Sequence, residues 1–357
     1  MPRRAGIVGA GRFDHAVVDG RQPPGDDHVA GDARRAPARR LARVRRVVLI
    51  VNPAARGGSG PLAAEAAALL GAGDVEVDIL ETSSRAGAVD LAAGAVSVPG
   101  TSAVLSSGGD GTVREVAEGM ARGLQTWPDG GPAPASAPSL LVLPGGTGNS
   151  VYTALYGDRP WQALVAAIMR GAMRRLDIDL MRIAEGDVAV LLGASTGFFR
   201  WSLDAAEQMS HLSGRERYMA AGLAAAAGLT PYRGRVEVDG ALVADGGLAL
   251  VAAGGAVHRS GTVAILPRSR LDDGLIDVCV LETPDAESFL PLMTRVLEGS
   301  HIGAAGVAYA QGRRVVLAAS DGPLPFEHDG ERWSGQDRTI TLTMVAAALP
   351  VAVPVDG

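Results

Sequence analysis

The 357-residue chain contains no lysine, so each of its 33 basic side chains is an arginine. That absence removes three chemistries together: a P-loop lysine, the strand lysine of protein kinases and any Schiff base. Cysteine is almost absent as well. Cys279 stands alone inside the apolar run Leu275 to Leu281. It can form no intrachain disulfide there, and it reads as a buried strand thiol rather than a nucleophile. Only two asparagines occur, Asn52 and Asn149, and both fall in candidate loop motifs, a placement that suggests chemistry. There is no run of eighteen apolar residues and no signal-peptide pattern, which predicts a cytoplasmic protein. The net charge of −6 argues against a general polyanion binder, nucleic acid included. Six histidines without ligand spacing and the lack of a Gly-x-Ser-x-Gly elbow set aside metal-hydrolase and Ser/His/Asp chemistry.

What the chain does have is glycine at the ends of apolar runs. Ser107-Gly108-Gly109-Asp110-Gly111-Thr112 follows Ser102 to Leu105 and opens a helix-like segment, Val113 to Arg122. A strand, a glycine turn and a helix N-terminus make an anion site, because backbone N–H groups and the helix dipole both favour negative charge. Thr112 and Glu115 are spaced as a capping box. Asp110 would repel a bare phosphate, and it makes sense if Mg²⁺ lies between them. An ordinary Gly-Asp-Gly turn is the alternative reading of this stretch alone.

The pattern recurs. Val47 to Val51 reads as a buried parallel strand leading into Asn52-Pro53-Ala54-Ala55-Arg56-Gly57-Gly58-Ser59-Gly60, with Pro61 suited to the first turn of a helix. A strand at 75–80, a helix at 85–96 and the surface loop 123–139 follow. Leu140 to Leu143 then runs into Pro144-Gly145-Gly146-Thr147-Gly148-Asn149-Ser150. Three such loops along one sheet edge predict an open α/β sheet with a single site at its strand ends. After the helix 161–170 the texture changes. Strands are expected at 176–183, 188–193, 234–238, 248–252, 262–266, 275–281, 313–318 and 339–345, with helices at 203–212, 215–229 and 285–297. Residues 1–44 read as an Arg/Pro/Gly-rich tail. Gly9-Ala10-Gly11 is no dinucleotide loop, and the arginines from Arg34 to Arg46 read as solvated or as touching anionic lipid.

These residues resemble the diacylglycerol kinase catalytic family, which includes bacterial lipid kinases, sphingosine kinases and ceramide kinases. The likeness rests on Val51-Asn52-Pro53, Gly108 to Thr112, Pro144 to Asn149, Leu271-Asp272-Asp273-Gly274-Leu275-Ile276-Asp277 and His328-Asp329-Gly330-Glu331, and it spans residues 46 to about 354. It implies an α/β fold in which an N-terminal open α/β nucleotide-binding domain (45–157) precedes a C-terminal β-sandwich-like domain (158–357), with the active site in the cleft between them. ATP and Mg²⁺ are the implied cofactors. Asn52, Pro53, Gly58, Gly108, Gly109, Asp110, Gly111, Thr112, Glu115, Gly146, Thr147 and Asn149 would hold the nucleotide. Asp329 would be the general base, with Glu331 and Asp110 beside it supporting metal and nucleotide. Asp273, with the backbone near Arg270 and Leu275, matches a structural Mg²⁺ loop.

The implied acceptor is a lipid or lipid-like hydroxyl, with peripheral contact at the inner membrane face; a homodimer is left open. Arg114, Ser150, Gly87 and Arg56 depart from the family pattern. Arg114 is a candidate to offset phosphate charge, with a helix-surface arginine as the alternative. Asp329-Gly330 reads equally as a plain hairpin turn, and Leu271 to Gly274 as a turn before a strand. An NAD-kinase-like enzyme is disfavoured because neither asparagine precedes a glutamate, and a phosphofructokinase-type enzyme lacks its Thr-Ile-Asp-Asn-Asp element. A kinase for a hydrophobic specialised metabolite, or a nucleotide- or lipid-binding relative without turnover, stays open. The alanine-rich helix from Tyr218 to Leu229 lines an acyl groove in one reading and packs in the core in the other.

Overall fold

Val47 to Val51, Ala103 to Leu105 and Leu140 to Leu143 are buried along their whole length, as strands are when both faces of their sheet are covered. The computed structural model describes residues 40–41, 43–55, 57–84, 87–212, 214–259 and 263–355. The expectations for residues 1–39 and for Arg56 lie outside the described residues. The first half alternates β1 (Arg46–Val51), α1 (Ser59–Ala72), β2 (Glu76–Glu81), α2 (Gly87–Ala95), β3 (Ala103–Gly108), α3 (Asp110–Gly123), β4 (Ser139–Pro144), α4 (Ser150–Tyr156) and α5 (Trp161–Met169). Its strands are parallel in the order β2-β1-β3-β4. The glycine loops after β1, β3 and β4 therefore leave the sheet at the same edge.

The second half is largely antiparallel. It runs β5 (Met173–Ile183), β6 (Val188–Val190), β7 (Gly193–Gly197), α6 (Phe198–Gln208), α7 (Gly214–Ala227), β8 (Tyr232–Val238), β9 (Ala241–Gly254), β10 (Ile276–Glu282), α8 (Ala286–Leu297), β11 (Val307–Gly312), β12 (Arg314–Ala319), β13 (Phe326–His328), β14 (Glu331–Arg332) and β15 (Thr339–Pro354). Successive strand residues point to opposite faces, and two cores result. Val251, Val278 and Val280 join Val315, Leu317, Phe326 and Ile340 on one face. Leu250, Ala252, Cys279 and Leu281 join Phe198, Phe289 and Val296 of the helices on the other. Cys279 is thus the buried strand thiol that its sequence context predicts, and burial pushes the thiol up to about 12.

The last strand joins the halves. The first part of β15 pairs with β12, β5 runs antiparallel along most of it, and Val351 pairs in parallel with Leu140 of β4. Ala347, at φ 51°, sits in the bulge between these stretches. Tyr156 reinforces the junction by accepting from Val142 N and donating to Ala352 O.

The differences from the sequence expectations are local. Residues 263–266 form no strand; Ile265 and Leu266 are fully buried on an irregular backbone held by Leu266 N donating to Val257 O. A short apolar run does not by itself distinguish these outcomes. Strands β7, β11, β13 and β14 are not expected from the sequence. At the other end, Arg40 bridges to Arg174, Leu41 N donates to Met173 O and Val44 is buried, so contacts with the sheet begin inside the segment that reads as tail.

Candidate active site

The three glycine loops are in direct contact with one another. Asn52 N donates to Ser107 O, and the Asn52 side-chain amide donates to the Thr112 hydroxyl at 2.9 Å. Ser59 donates to Asn52 O, and Ser107 Oγ donates to Ser59 O at 2.9 Å. Asp110 ties the second loop to the third, accepting from Ser150 N at 3.1 Å and Val151 N at 3.0 Å across the N-terminus of α4. Asn149, at φ 51°, is the N-cap residue of α4. Its side chain accepts from Gly146 N at 2.8 Å and donates to Gly146 O at 3.1 Å, which closes the third loop.

Thr112 is not a cap. Helix α3 begins at Asp110 with Gly109 as N-cap residue and no side-chain cap. The capping box expected of Thr112 and Glu115 therefore does not form: both lie inside the helix, and Thr112 turns its hydroxyl to Asn52 instead.

The glycines fall into two kinds. A Cβ on Gly57 would sit 2.4 Å from Gly146 O, one on Gly146 2.4 Å from Gly109 Cα, and one on Gly145 2.8 Å from Gly108 N. No side chain fits there, so the fold itself requires these three. Gly109 differs: its φ is −82°, and a Cβ would meet only Gly146 Cα, at 3.7 Å. Nothing in the protein demands glycine at that position, which opens the N-terminus of a 14-residue helix. Gly58 needs glycine for its φ of 80°, while Pro53 and Thr147 are exposed on the loops.

Asp329 and Gly330 reach this edge from the second half. With φ of 46° and 81° they form the tight turn between β13 and β14, as the hairpin alternative expects. The Asp329 carboxylate accepts three backbone bonds: Leu191 N on Oδ2 at 2.8 Å, and Leu192 N at 2.8 Å with Gly193 N at 3.1 Å on Oδ1. Glu331 leans over the glycine turn, since a Cβ on Gly111 would lie 2.8 Å from its Oε1. Arg114 is buried rather than on the helix surface. Its guanidinium lies 3.3 Å from Glu118 and 3.9 Å from both Glu115 and Glu331.

His328 is buried beside this turn, with Nδ1 unpartnered among the described residues. Burial, and secondarily Arg114, lowers its pKa from 6.5 against the opposing pull of Asp329, Glu331 and Glu327. A histidine depressed in the folded state contributes stability above the unfolded pKa and loses it as pH falls toward the folded one. The unfolding midpoint should therefore drop as pH falls below about 6.5, the unfolded value, and the drop should be smaller in His328→Gln. Equal pH slopes in thermal melts of the two proteins would contradict this.

The loop carrying Arg270, Asp273 and Leu275 has a different set of partners. Asp273 accepts from Leu275 N at 3.0 Å, and Asp179 accepts from Gly274 N at 2.6 Å and Ala347 N at 2.7 Å. Burial raises the pKa of both carboxyls; the charge of Asp273 adds to the rise at Asp179, and those of Asp277 and Asp272 add to it at Asp273. The Arg270 side chain is turned to Asp272. Among the described residues no three His, Cys, Asp or Glu side chains form a metal cage. Motif and spacing do not reveal Asp179, one of five charged residues in β5 and set apart from Asp177 by its burial, or the Leu191–Gly193 amides, which have no side-chain signal at all. Nor do they reveal the buried pair Arg259 and Glu327.

Helix α7 packs Ala221, Ala225 and Ala226 inward and exposes Tyr218, Met219 and Leu223. No helix among the described residues is long and apolar enough to cross a membrane.

The family model for the diacylglycerol kinase catalytic domain matches residues 46–181. That for the YegS C-terminal NAD kinase beta sandwich-like domain matches residues 194–353. The "Diacylglycerol kinase" of Bacillus subtilis is 27% identical over 231 residues, covering 64% of this chain and 70% of that protein. A Pseudomonas aeruginosa protein named "Probable lipid kinase YegS-like" is 26% identical over 257 residues, 71% of this chain and 78% of its own. The crystal structure of a diacylglycerol kinase from Bacillus anthracis superposes with a TM-score of 0.65 at 20% identity, over 87% of this chain and 97% of that one. With an α/β half and a β-sandwich-like half matched in this order, the chain belongs to the diacylglycerol kinase catalytic family of lipid kinases.

Proposed function

We propose that the protein transfers the γ-phosphate of ATP, with Mg²⁺, to a hydroxyl of a diacylglycerol- or sphingosine-like lipid. The observation that carries this reading is the meeting of two motifs. Asp329, oriented by three amides, and Glu331 come from one half of the chain, and the Gly108–Thr112 turn comes from the other. Phosphoryl transfer depends on positioning and charge neutralisation, and the incoming hydroxyl needs a proton acceptor within reach. In this assignment the phosphates lie along Gly109 and the free N–H groups of α3, with Asn52, Thr112 and Asn149 keeping the three loops in register.

A carboxylate has about four acceptor sites, two on each oxygen. Asp329 Oδ1 already accepts two bonds, whereas Oδ2 accepts one. Oδ2 is therefore the atom that takes the acceptor's proton as its oxygen bonds to the γ-phosphorus and the bond to the β-phosphate oxygen breaks, releasing ADP.

The donor set suits Mg²⁺, which binds through one or two carboxylates together with phosphate oxygens rather than in an all-protein cage. Each oxygen of Asp110 accepts one bond, from Ser150 or Val151, which leaves acceptor capacity on both, and Glu331 lies over the same glycine turn. When bound, the ion neutralises charge on the phosphates. Asp273, with the carbonyls of Arg270 and Leu275, is assigned a separate structural ion. That ion would relieve the repulsion that helps keep the pKa values of Asp179 and Asp273 raised. The exposed Tyr218, Met219 and Leu223 support an apolar acceptor presented from a membrane surface.

The test is transfer of labelled γ-phosphate from ATP, with and without Mg²⁺, into diacylglycerol, monoacylglycerol, sphingosine, ceramide and a host lipid extract. A Mg²⁺-dependent labelled lipid is expected. Labelling of a non-lipid metabolite alone would move the acceptor out of the lipid class. ATP binding with no labelled product in any arm would refute turnover.

A further inference from the structure

Behind the Asp329 turn lies an ion pair that the mechanism above does not use. Arg259 and Glu327 are 6% and 2% exposed, and Arg259 Nη2 donates to Glu327 Oε1 at 2.5 Å. They come from distant parts of the chain, and each has a second grip on the same turn. Arg259 Nη1 donates to Gly193 O at 2.8 Å, and that carbonyl also accepts from Asp329 N at 2.9 Å. Glu327 Oε2 accepts from Gly330 N at 3.0 Å, and its Oε1 also takes the Ser195 hydroxyl. Gly193 N in turn donates to the Asp329 carboxylate. The pair therefore fixes the backbone on both sides of Asp329 and also holds the strand whose amides orient its carboxylate.

Stability alone gives a poor account of this arrangement. A buried ion pair loses hydration that its mutual attraction often fails to return, and well-packed apolar residues do as well or better. Arg259 carries a further cost, because its Nε is buried without a partner among the described residues. What a forked guanidinium provides, and an apolar side chain does not, is two donors at a set angle. Here one reaches Glu327 and the other reaches Gly193.

We propose that Arg259 and Glu327 are positioning residues that hold the Asp329–Glu331 turn in the geometry for phosphoryl transfer. This inference rests on the assignment of Asp329 as the base. Displacement of a reacting group by about 1 Å can cost about 100-fold in rate, so the effect belongs in kcat. Arg259→Met is expected to lower kcat about 100-fold with the KM for ATP nearly unchanged. Arg259→Lys is expected to recover part of the loss, because a single ammonium keeps the charge but not the fork.

Kinetics with dioleoylglycerol and sphingosine micelles, run well below each variant's melting midpoint, test this with Asp329→Asn alongside. A purely structural role predicts activity that follows the folded fraction and parental kcat per folded molecule, which overturns the proposal. If Arg259→Met does not fold, Glu327→Gln and Ser195→Ala take its place. They keep the shape of the network while removing a charge or a single hydrogen bond, and parental kcat in both overturns the proposal. An inactive Asp329→Asn beside a fully active Arg259→Met defeats the positioning pair alone. An active Asp329→Asn defeats the base assignment, and the pair then has nothing to position. A parent without turnover refutes the kinase reading and this proposal together.

Discussion

Asp329→Asn should lower kcat by about 10²- to 10⁴-fold, the usual contribution of a positioned proton acceptor. The substitution is nearly isosteric, so the Asp329–Gly330 turn can persist; asparagine also tolerates the left-handed backbone that Asp329 adopts at φ 46°. What changes is the chemistry of one atom. The carbonyl oxygen of asparagine can still accept from Leu192 N and Gly193 N, but its amide would face the Leu191 N–H where Oδ2 now accepts. Two donors would then oppose each other, at a stability cost of about 1–3 kcal/mol. The acceptor hydroxyl would also lose the base assigned to it. KM for ATP should change little, because the nucleotide is assigned to the glycine loops of the other half. Steady-state kinetics with a melting curve separate the effects. Parental kcat in a folded Asp329→Asn protein would move the base elsewhere. Asp329→Glu is a useful companion: it keeps the charge but lengthens the side chain past the three amides, so it should also be slow.

The features legible in the sequence are those written in local backbone chemistry. Glycine, asparagine and aspartate at strand ends mark turns because they adopt conformations other residues avoid. That is why residue order alone places the loops after β1, β3 and β4 and the Asp329-Gly330 turn, though not the short strands on either side of that turn. Continuous apolar runs identify the buried parallel strands for a similar reason. Strand β7 escapes such a reading because Gly193-Ala194-Ser195-Thr196-Gly197 has little of the β-branched and aromatic character that marks a strand. Its pairing with β9 and β13 comes from partners far along the chain. The two attachments of β15 are hidden for the same reason, as is the Arg259–Glu327 pair, whose members stand 68 residues apart. Thr112 shows the reverse error. Its spacing to Glu115 imitates a capping box, but the helix starts three residues earlier than such a box requires, and a partner from another loop claims the hydroxyl.

Gly146→Ala and Gly109→Ala should fail in opposite ways, although they substitute neighbouring glycines across one loop contact. At Gly146 the added Cβ would lie 2.4 Å from Gly109 Cα, 3.1 Å from Asn149 Oδ1 and 3.3 Å from Gly109 N. Two of these are backbone atoms, with no flexible side chain to move aside. The second and third loops must separate, and the Asn149–Gly146 bonds and the Asp110 grip on α4 loosen with them. A loss of about 1–3 kcal/mol is expected, the range for overpacked sites, together with loss of nucleotide binding. At Gly109 the backbone is unstrained, and the added methyl would make an ordinary 3.7 Å contact. The melting midpoint should stay near the parent's. The methyl would instead stand at the mouth of α3, where the phosphates are assigned, so Kd for ATP should rise about tenfold or more, each tenfold being about 1.4 kcal/mol. Calorimetric titration with ATP and thermal melting of both variants decide the matter. A Gly109→Ala protein that binds ATP like the parent would place the phosphates away from this turn, whereas an unstable one would mean that the turn needs glycine for its own backbone.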